Sequence, residues 1–275
     1  MAAPVGSFAV RRKGLSLAVT LLTVIPLPGR PPAKPDRRTA GAAMAWAPAV
    51  GALLGIIAAG VLAGVDRPLG AGPLTGAAVA VAVLALLTRG LHLDGLADLA
   101  DGLGSGKPAA AALDIMRKSD IGPLGVVTLV LAVLIEVAAL AHAESTVTGG
   151  PIRGAAAVIA AVVTGRLAMT WACRPSVPAA RPGGLGAMVA GTVHSRVPAL
   201  ETVIVSGAAV AAVVIWKQIG WTLPLAVIGG LAAAFALERH AVRRLGGITG
   251  DVLGALAEVA TTVAIVVAAM GPVLW

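Results

Sequence analysis

Seven runs of about twenty apolar residues follow one another along this chain, and that succession restricts the fold more than any other feature. The runs cover approximately 42–64, 73–91, 122–141, 153–172, 198–216, 221–237 and 252–271. A helix needs about 20 apolar residues to cross the roughly 30 Å hydrocarbon core of a bilayer. Backbone polar groups inside lipid must be satisfied within the spanning element itself, so helices or a closed barrel are the available solutions. The runs show no strand-like alternation in segments of about ten residues, which excludes a barrel. The reading is therefore all-α: a polytopic membrane helix bundle of about seven transmembrane helices, forming one integral-membrane domain over residues 1–275. The sixth run is short, with Pro224 in its first turn. Ala, Val, Leu and Gly dominate, and helices rich in small residues pack closely in lipid. Association into a homo-oligomer stays open.

A shorter apolar run, Gly14 to Ile25, precedes the first span. Twelve residues of helix cover about 18 Å, too little to cross. Arg11, Arg12 and Lys13 before it resemble the start of a signal peptide, but Pro26-Leu27-Pro28-Gly29-Arg30 offers no small-residue cleavage site. The run reads as a short interfacial or re-entrant helix.

The formal charge of +8 would suggest nucleic acid in a soluble protein. In a membrane protein it points instead to cytoplasmic loops, where Lys and Arg accumulate, and no nucleic-acid partner is expected beside the lipid bilayer. With seven spans, 16 Lys and Arg fall on one side and three, Arg67, Arg153 and Lys217, on the other. That places the N-terminus in the cytoplasm of a multi-pass protein of the cytoplasmic (inner) membrane. The single cysteine, Cys173, excludes a disulfide within the chain and argues against thiol-based metal or redox chemistry.

Candidate chemistry gathers on the basic side. LHLDGLADLADGLGSG, residues 91–106, holds Asp94, Asp98 and Asp101 with His92 and three following glycines. The spacing i, i+4, i+7 puts the carboxylates on one helix face. Neighbours about 6 Å apart repel by about 3 kcal/mol at an effective dielectric near 20. A divalent cation, Mg2+ with substrate phosphates, compensates such a cluster; a solvated acidic helix end is the plain alternative. His92 reads as a base, a phosphate donor or an interfacial histidine. Residues 114–123 place Arg117 and Lys118 as phosphate partners and Ser119 as a helix cap presenting backbone donors to an anion; an ordinary basic loop is the alternative. Arg166 lies inside the fourth span, where a charge is expensive, and is expected to face a carboxylate or phosphate in the bundle. GGITGDVLG, residues 246–254, brings Thr249 and Asp251 into the last span, with Glu258 seven residues on. That pair can serve a metal or a hydroxyl, although capping also suits Asp251. Glu136, in the third span, pairs with Arg166 or snorkels outward.

In order along the chain, these segments resemble the adenosylcobinamide-GDP ribazoletransferase (cobalamin synthase) family. Residues 91–106 are similar to its His-x-Asp-Gly-Leu-Ala-Asp-x-x-Asp-Gly segment, LDIMRKSDIGPLG (113–125) to its Glu-Ile-Met-Arg-Asp-Ser-x-x-Gly segment, and GRLAMT (165–170) to its Ser-Arg-x-x-Met stretch. LAVTLLTVIPLPGR (17–30), ARPGGLG (180–186) and RRLGGITGDVLGALAE (243–258) complete the likeness. Lys118 stands where the family usually has Asp, Asp114 replaces its Glu, and Gly183 replaces a common Glu. The resemblance implies adenosylcobinamide-GDP and α-ribazole, or its 5′-phosphate, as substrates, Mg2+ as cofactor, and adenosylcobalamin, or its 5′-phosphate, and GMP as products. It implies Asp94, Asp98 and Asp101 as metal ligands, Asp251 as a further metal or nucleophile-orienting group, and His92, Arg117, Ser119, Arg166 and Thr249 as substrate contacts. A CDP-alcohol phosphotransferase would use similar chemistry, but Asp98 occupies the position where that signature needs Arg. A transporter would place broken helices at the midplane in repeated halves, and no repeat is visible.

Overall fold

The computed structural model describes residues 8–27, 35–70, 72–145 and 150–270. Among them the chain forms twelve α-helices and no strand beyond one isolated bridge. They are α1 (Phe8–Leu22), α2 (Arg37–Ala45), α3 (Ala47–Leu69), α4 (Pro73–Leu87), α5 (Leu91–Gly104), α6 (Ala109–Ile115), α7 (Pro123–Glu144), α8 (Gly150–Ala172), α9 (Gly184–Val189), α10 (Arg196–Ile215), α11 (Thr222–Leu245) and α12 (Gly250–Ala269).

Six of these, α3, α7, α8, α10, α11 and α12, are long and apolar enough to cross a membrane. In α8 and α12, 72% of the spanning positions are buried, against 17% in α10 and 22% in α7. So α8 and α12 form the core of the bundle, and α7 and α10 its lipid face. That outer face carries exposed Val127, Leu131 and Leu134 on α7, and Val203, Ile204 and Val214 on α10. Such a surface would aggregate in water; in lipid it is the solvated one. Between α10 and the α3/α8 pair lies an apolar groove of about 760 Å³ whose one charged lining residue is Glu201.

The expected span over 73–91 is broken. α4 stops at Leu87, α5 starts at Leu91, and the two are bent by 87°. The break is a turn in the left-handed region. Arg89 (φ 56°) and Gly90 (φ 65°) both adopt the left-handed conformation, and Gly90 N–H donates to the Ala85 carbonyl at 2.7 Å. This is a glycine-terminated helix end. α4 alone covers about 22 Å; the seventh crossing is counted with this bent pair, and α5 turns to run across one end of the bundle. The expected first span is interrupted at Trp46, which stays right-handed (φ −90°, ψ −6°), and Pro48 lies in the first turn of α3. α1 is too short to span, as expected; it lies on α2, with Gly14 against Ala42.

Candidate active site

The site is built where α5 crosses α12. Two glycines permit the approach. A side chain at Gly95 would stand 2.7 Å from the Asp251 carbonyl oxygen, and one at Gly254 would meet Leu91, His92 and Gly95 at 3.2 to 3.4 Å. The crossing brings Asp94 and Asp98 on α5 close enough to Asp251 for their charges to act on one another. Thr249 is the N-cap of α12: its hydroxyl accepts from Val252 N–H at 3.2 Å and lies 3.1 Å from Asp251 Oδ2. A second glycine-rich segment packs on the first. Ala180 N–H donates to the Ile248 carbonyl at 3.0 Å, and Ile248 N–H to the Pro178 carbonyl at 2.9 Å. This short parallel bridge carries Arg181 to Asp251, with 3.5 Å between Nη2 and Oδ2. Leu22, His92, Asp94, Arg181, Gly183–Gly186, Thr249 and Asp251 line a cavity of about 290 Å³. Arg181 is the residue that sequence reasoning missed as part of the site. Its signal lay in ARPGGLG, but only the bridge to Ile248 gives it a place.

Asp98 is the most perturbed carboxyl outside the spans. Burial raises it from 3.8 to about 6, helped by the negative charges of Asp94, Asp251 and Asp101 and opposed by Arg181. The folded protein therefore holds a proton there that the unfolded chain has already released between pH 4 and 6. Stability contributed by that proton is lost as pH rises through about 6. Replacing Asp98 with Asn removes the repulsion while keeping the shape. Asp98→Asn is expected to unfold at a higher temperature than the native chain at pH 7.5, and the difference should shrink as pH falls through about 6 and vanish at about pH 3.5. Thermal unfolding in detergent at the two pH values checks this.

The expected triad of Asp94, Asp98 and Asp101 does not converge. Among the described residues, no three His, Cys, Asp or Glu side chains form a ready metal cage. Asp101 turns away to α7: Oδ2 accepts from Gly122 N–H at 2.7 Å and Oδ1 from Gly125 N–H at 2.9 Å. It caps that helix from another element. The expectation that Ser119 caps α7 is corrected accordingly. Pro123 opens the helix, Gly122 sits at the N-cap position, and Ser119 is exposed. Arg117 is also exposed, 3.8 Å from Asp114, and neither it nor Ser119 lines the cavity. Asp101→Ala should cost about 1 to 2 kcal/mol by uncapping α7, measurable as a lower thermal midpoint.

Arg166 does not reach the main cavity either. It is buried beside a separate void of about 30 Å³ lined by His92, Glu136, Glu258 and Thr261, room for about one water. Arg166 Nη2 lies 3.4 Å from His92 Nδ1. Glu136 faces inward, accepting from the Thr262 hydroxyl at 2.6 Å. Asp251 and Glu258 thus serve different cavities, because seven residues of helix separate them by about 10 Å along the axis. His92 lines both. Its Nε2 is buried and has no partner among the described residues.

The donors present fit Mg2+ in one way. That ion usually takes one or two protein carboxylates and completes its shell with water and substrate phosphates. Asp94 and Asp251, facing a cavity also lined by Gly183, Gly184, Gly186 and Gly250, match that pattern better than a closed all-protein cage would.

Residues 14–269 match the cobalamin-5-phosphate synthase family. The chain belongs to that family. Among its relatives is an adenosylcobinamide-GDP ribazoletransferase of Frankia casuarinae, 45% identical over 92% of this chain and 93% of the relative. Proteins of the same name from Nocardioides sp. (38% identical, 90% and 95% covered) and Corynebacterium efficiens (33%, 94% and 93%) are similar across the same length. No solved structure matches the chain. As a cobalamin-5-phosphate synthase family member, the chain is a transferase of cobalamin synthesis, which sets aside the lipid phosphotransferase and transporter readings. The family match runs through every segment of the site, from Leu22 to Asp251.

Proposed function

We propose that this chain transfers the cobinamide phosphate of adenosylcobinamide-GDP to α-ribazole or its 5′-phosphate, releasing GMP. The observation that carries the reading is the facing of Asp94 with Asp251 and Arg181 across one glycine-rich cavity, with Asp98 near enough to feel all three charges. The reaction is a displacement at phosphorus. The ribose 3′-oxygen forms a new bond to the cobinamide-side phosphorus, its proton is released, and the bond to GMP breaks with the electron pair leaving on GMP. Alignment and neutralisation of non-bridging oxygens supply most of the acceleration in such transfers.

Asp94 and Asp251 would hold Mg2+, which when bound withdraws charge from the diphosphate. Asp98, one turn along α5 from Asp94 and with its carboxyl raised to about 6 by burial and its acidic neighbours, would take the proton of the attacking hydroxyl. Thr249 fixes the Asp251 carboxylate through its hydroxyl. Gly183, Gly184 and Gly186 expose backbone to the nucleotide without intervening side chains. Arg166, His92, Glu136 and Glu258 brace α5 against α8 and α12 from within the bundle.

We infer that the cavity faces the cytoplasm across the inner membrane. The asymmetry of 16 against three basic residues supports this orientation. A tag after Trp275 should then be labelled only from outside the cell.

The direct test gives purified protein adenosylcobinamide-GDP and α-ribazole, with and without Mg2+, and follows GMP. Mg2+-dependent release is expected. No release with either acceptor would overturn the assignment.

A further inference from the structure

Two arginine–carboxylate contacts near this end of the bundle differ in kind. Arg174 grips Glu238 through both ends of its fork, at 2.7 and 2.6 Å, and stacks 5.4 Å over the Phe235 ring. It also donates to the Trp171 carbonyl at 3.0 Å, and Glu238 is buried; this is a structural clasp between the end of α8 and α11. Arg181 instead meets Asp251 through one nitrogen at 3.5 Å, and that carboxylate oxygen already has the Thr249 hydroxyl 3.1 Å away. Arg181 Nε is shielded from solvent and donates to no described group. A guanidinium has five donors in a planar fork suited to paired phosphate oxygens, and here nearly all are unspent beside the cavity.

The backbone around Arg181 is fixed. The bridge to Ile248 holds Ala180 on one side. On the other, Gly184 (φ +84°) turns the chain into α9, whose C-terminal carbonyls at Ala187 and Ala190 accept from the Arg37 guanidinium. Any rearrangement is therefore confined to the side chain. Arg181 is also the positive charge that offsets the mutual repulsion of Asp94, Asp98 and Asp251 in the free protein.

We propose that Arg181 is an exchangeable counter-ion: it neutralises Asp251 until the divalent cation and the diphosphate arrive, then yields Asp251 to the cation and takes a non-bridging oxygen of the diphosphate. The proposal rests on reading the cavity as a phosphoryl-transfer site. Its physical logic is linkage. A cation entering alone must displace Arg181 and leave that charge without a partner, whereas a diphosphate entering with it receives the displaced guanidinium. Each ligand thereby raises the affinity for the other by the same factor.

The test uses the purified full-length chain in detergent with Mn2+ as the probe, free Mn2+ being followed by its electron paramagnetic resonance signal without substrates. Arg181→Met keeps the length of the side chain and removes its charge. It is expected to bind Mn2+ about tenfold more tightly than the native chain, while kcat/KM for the nucleotide substrate falls about 100-fold. Arg181→Lys should recover part of both. The tightening should be absent when Asp251→Asn is combined with Arg181→Met. Binding that is unchanged or weaker in Arg181→Met overturns the proposal, as does native kcat/KM in that variant. A mere structural loss would lower both quantities, not move them in opposite directions. Failure of the native chain to release GMP would instead strike the transferase reading, and the Mn2+ titration would still decide whether Arg181 competes for Asp251.

Discussion

Replacing Asp94 or Asp251 by asparagine is expected to lower GMP release on the order of 1,000-fold or more while leaving the protein inserted and folded. Asparagine keeps the size of each side chain and loses the charge that binds a hard cation. The two residues stand on different helices, Asp94 at the start of α5 and Asp251 in the first turn of α12. If both serve one cation, their losses do not add: the double variant should be about as slow as the worse single one, since groups that act as a unit are non-additive. Steady-state rates at saturating Mg2+ measure this, with thermal unfolding as the check on folding. A double variant slower by the product of the two single effects would place them in separate roles.

Gly95→Val is expected to abolish activity by another route. A Cβ there would lie 2.7 Å from the Asp251 carbonyl oxygen and 3.0 Å from its Cα, and both partners are backbone that cannot turn aside. α5 must lift off α12, carrying Asp94 and Asp98 away from Asp251 and Arg181. Overpacking of this kind costs about 1 to 3 kcal/mol, and the site is separated at the same time. Gly60→Ala is the matched control: a Cβ at Gly60 meets nothing within 4 Å, so stability and rate should stay at native values. Native activity in Gly95→Val would show that the crossing does not set the site.

The order of membrane helices was legible because each apolar run is long and lipid allows little else. The breaks within it were not. Gly90 could be read as a weak point in a helix, but the left-handed turn at Arg89 and Gly90, and the 87° bend it makes, depend on what α5 packs against. Spacing correctly put three aspartates on one helix face. It could not show that residues 94 and 101 are about 10 Å apart along the axis, so that one meets α12 and the other α7. Asp101's partners, Gly122 and Gly125, lie 21 and 24 residues away, beyond the reach of a local pattern. Arg166 was recognised as bundle-facing from the cost of its charge; its neighbours His92 and Glu258 come from three-dimensional packing. Arg181 stood in the ARPGGLG segment, but its place beside Asp251 could not be read there, because it depends on the bridge between residues 178–180 and 248.

In the proposed reaction the diphosphate is gripped by a cation that Asp94 and Asp251 would hold between α5 and α12. A substrate with sulfur in place of a non-bridging oxygen on the cobinamide-side phosphate probes that contact directly, since sulfur binds hard Mg2+ poorly and softer cations well. The native chain should turn this substrate over slowly with Mg2+ and recover with Cd2+ or Mn2+, and the recovery should disappear in Asp94→Asn. Equal rates with Mg2+ and Cd2+, or undiminished recovery in Asp94→Asn, would contradict it.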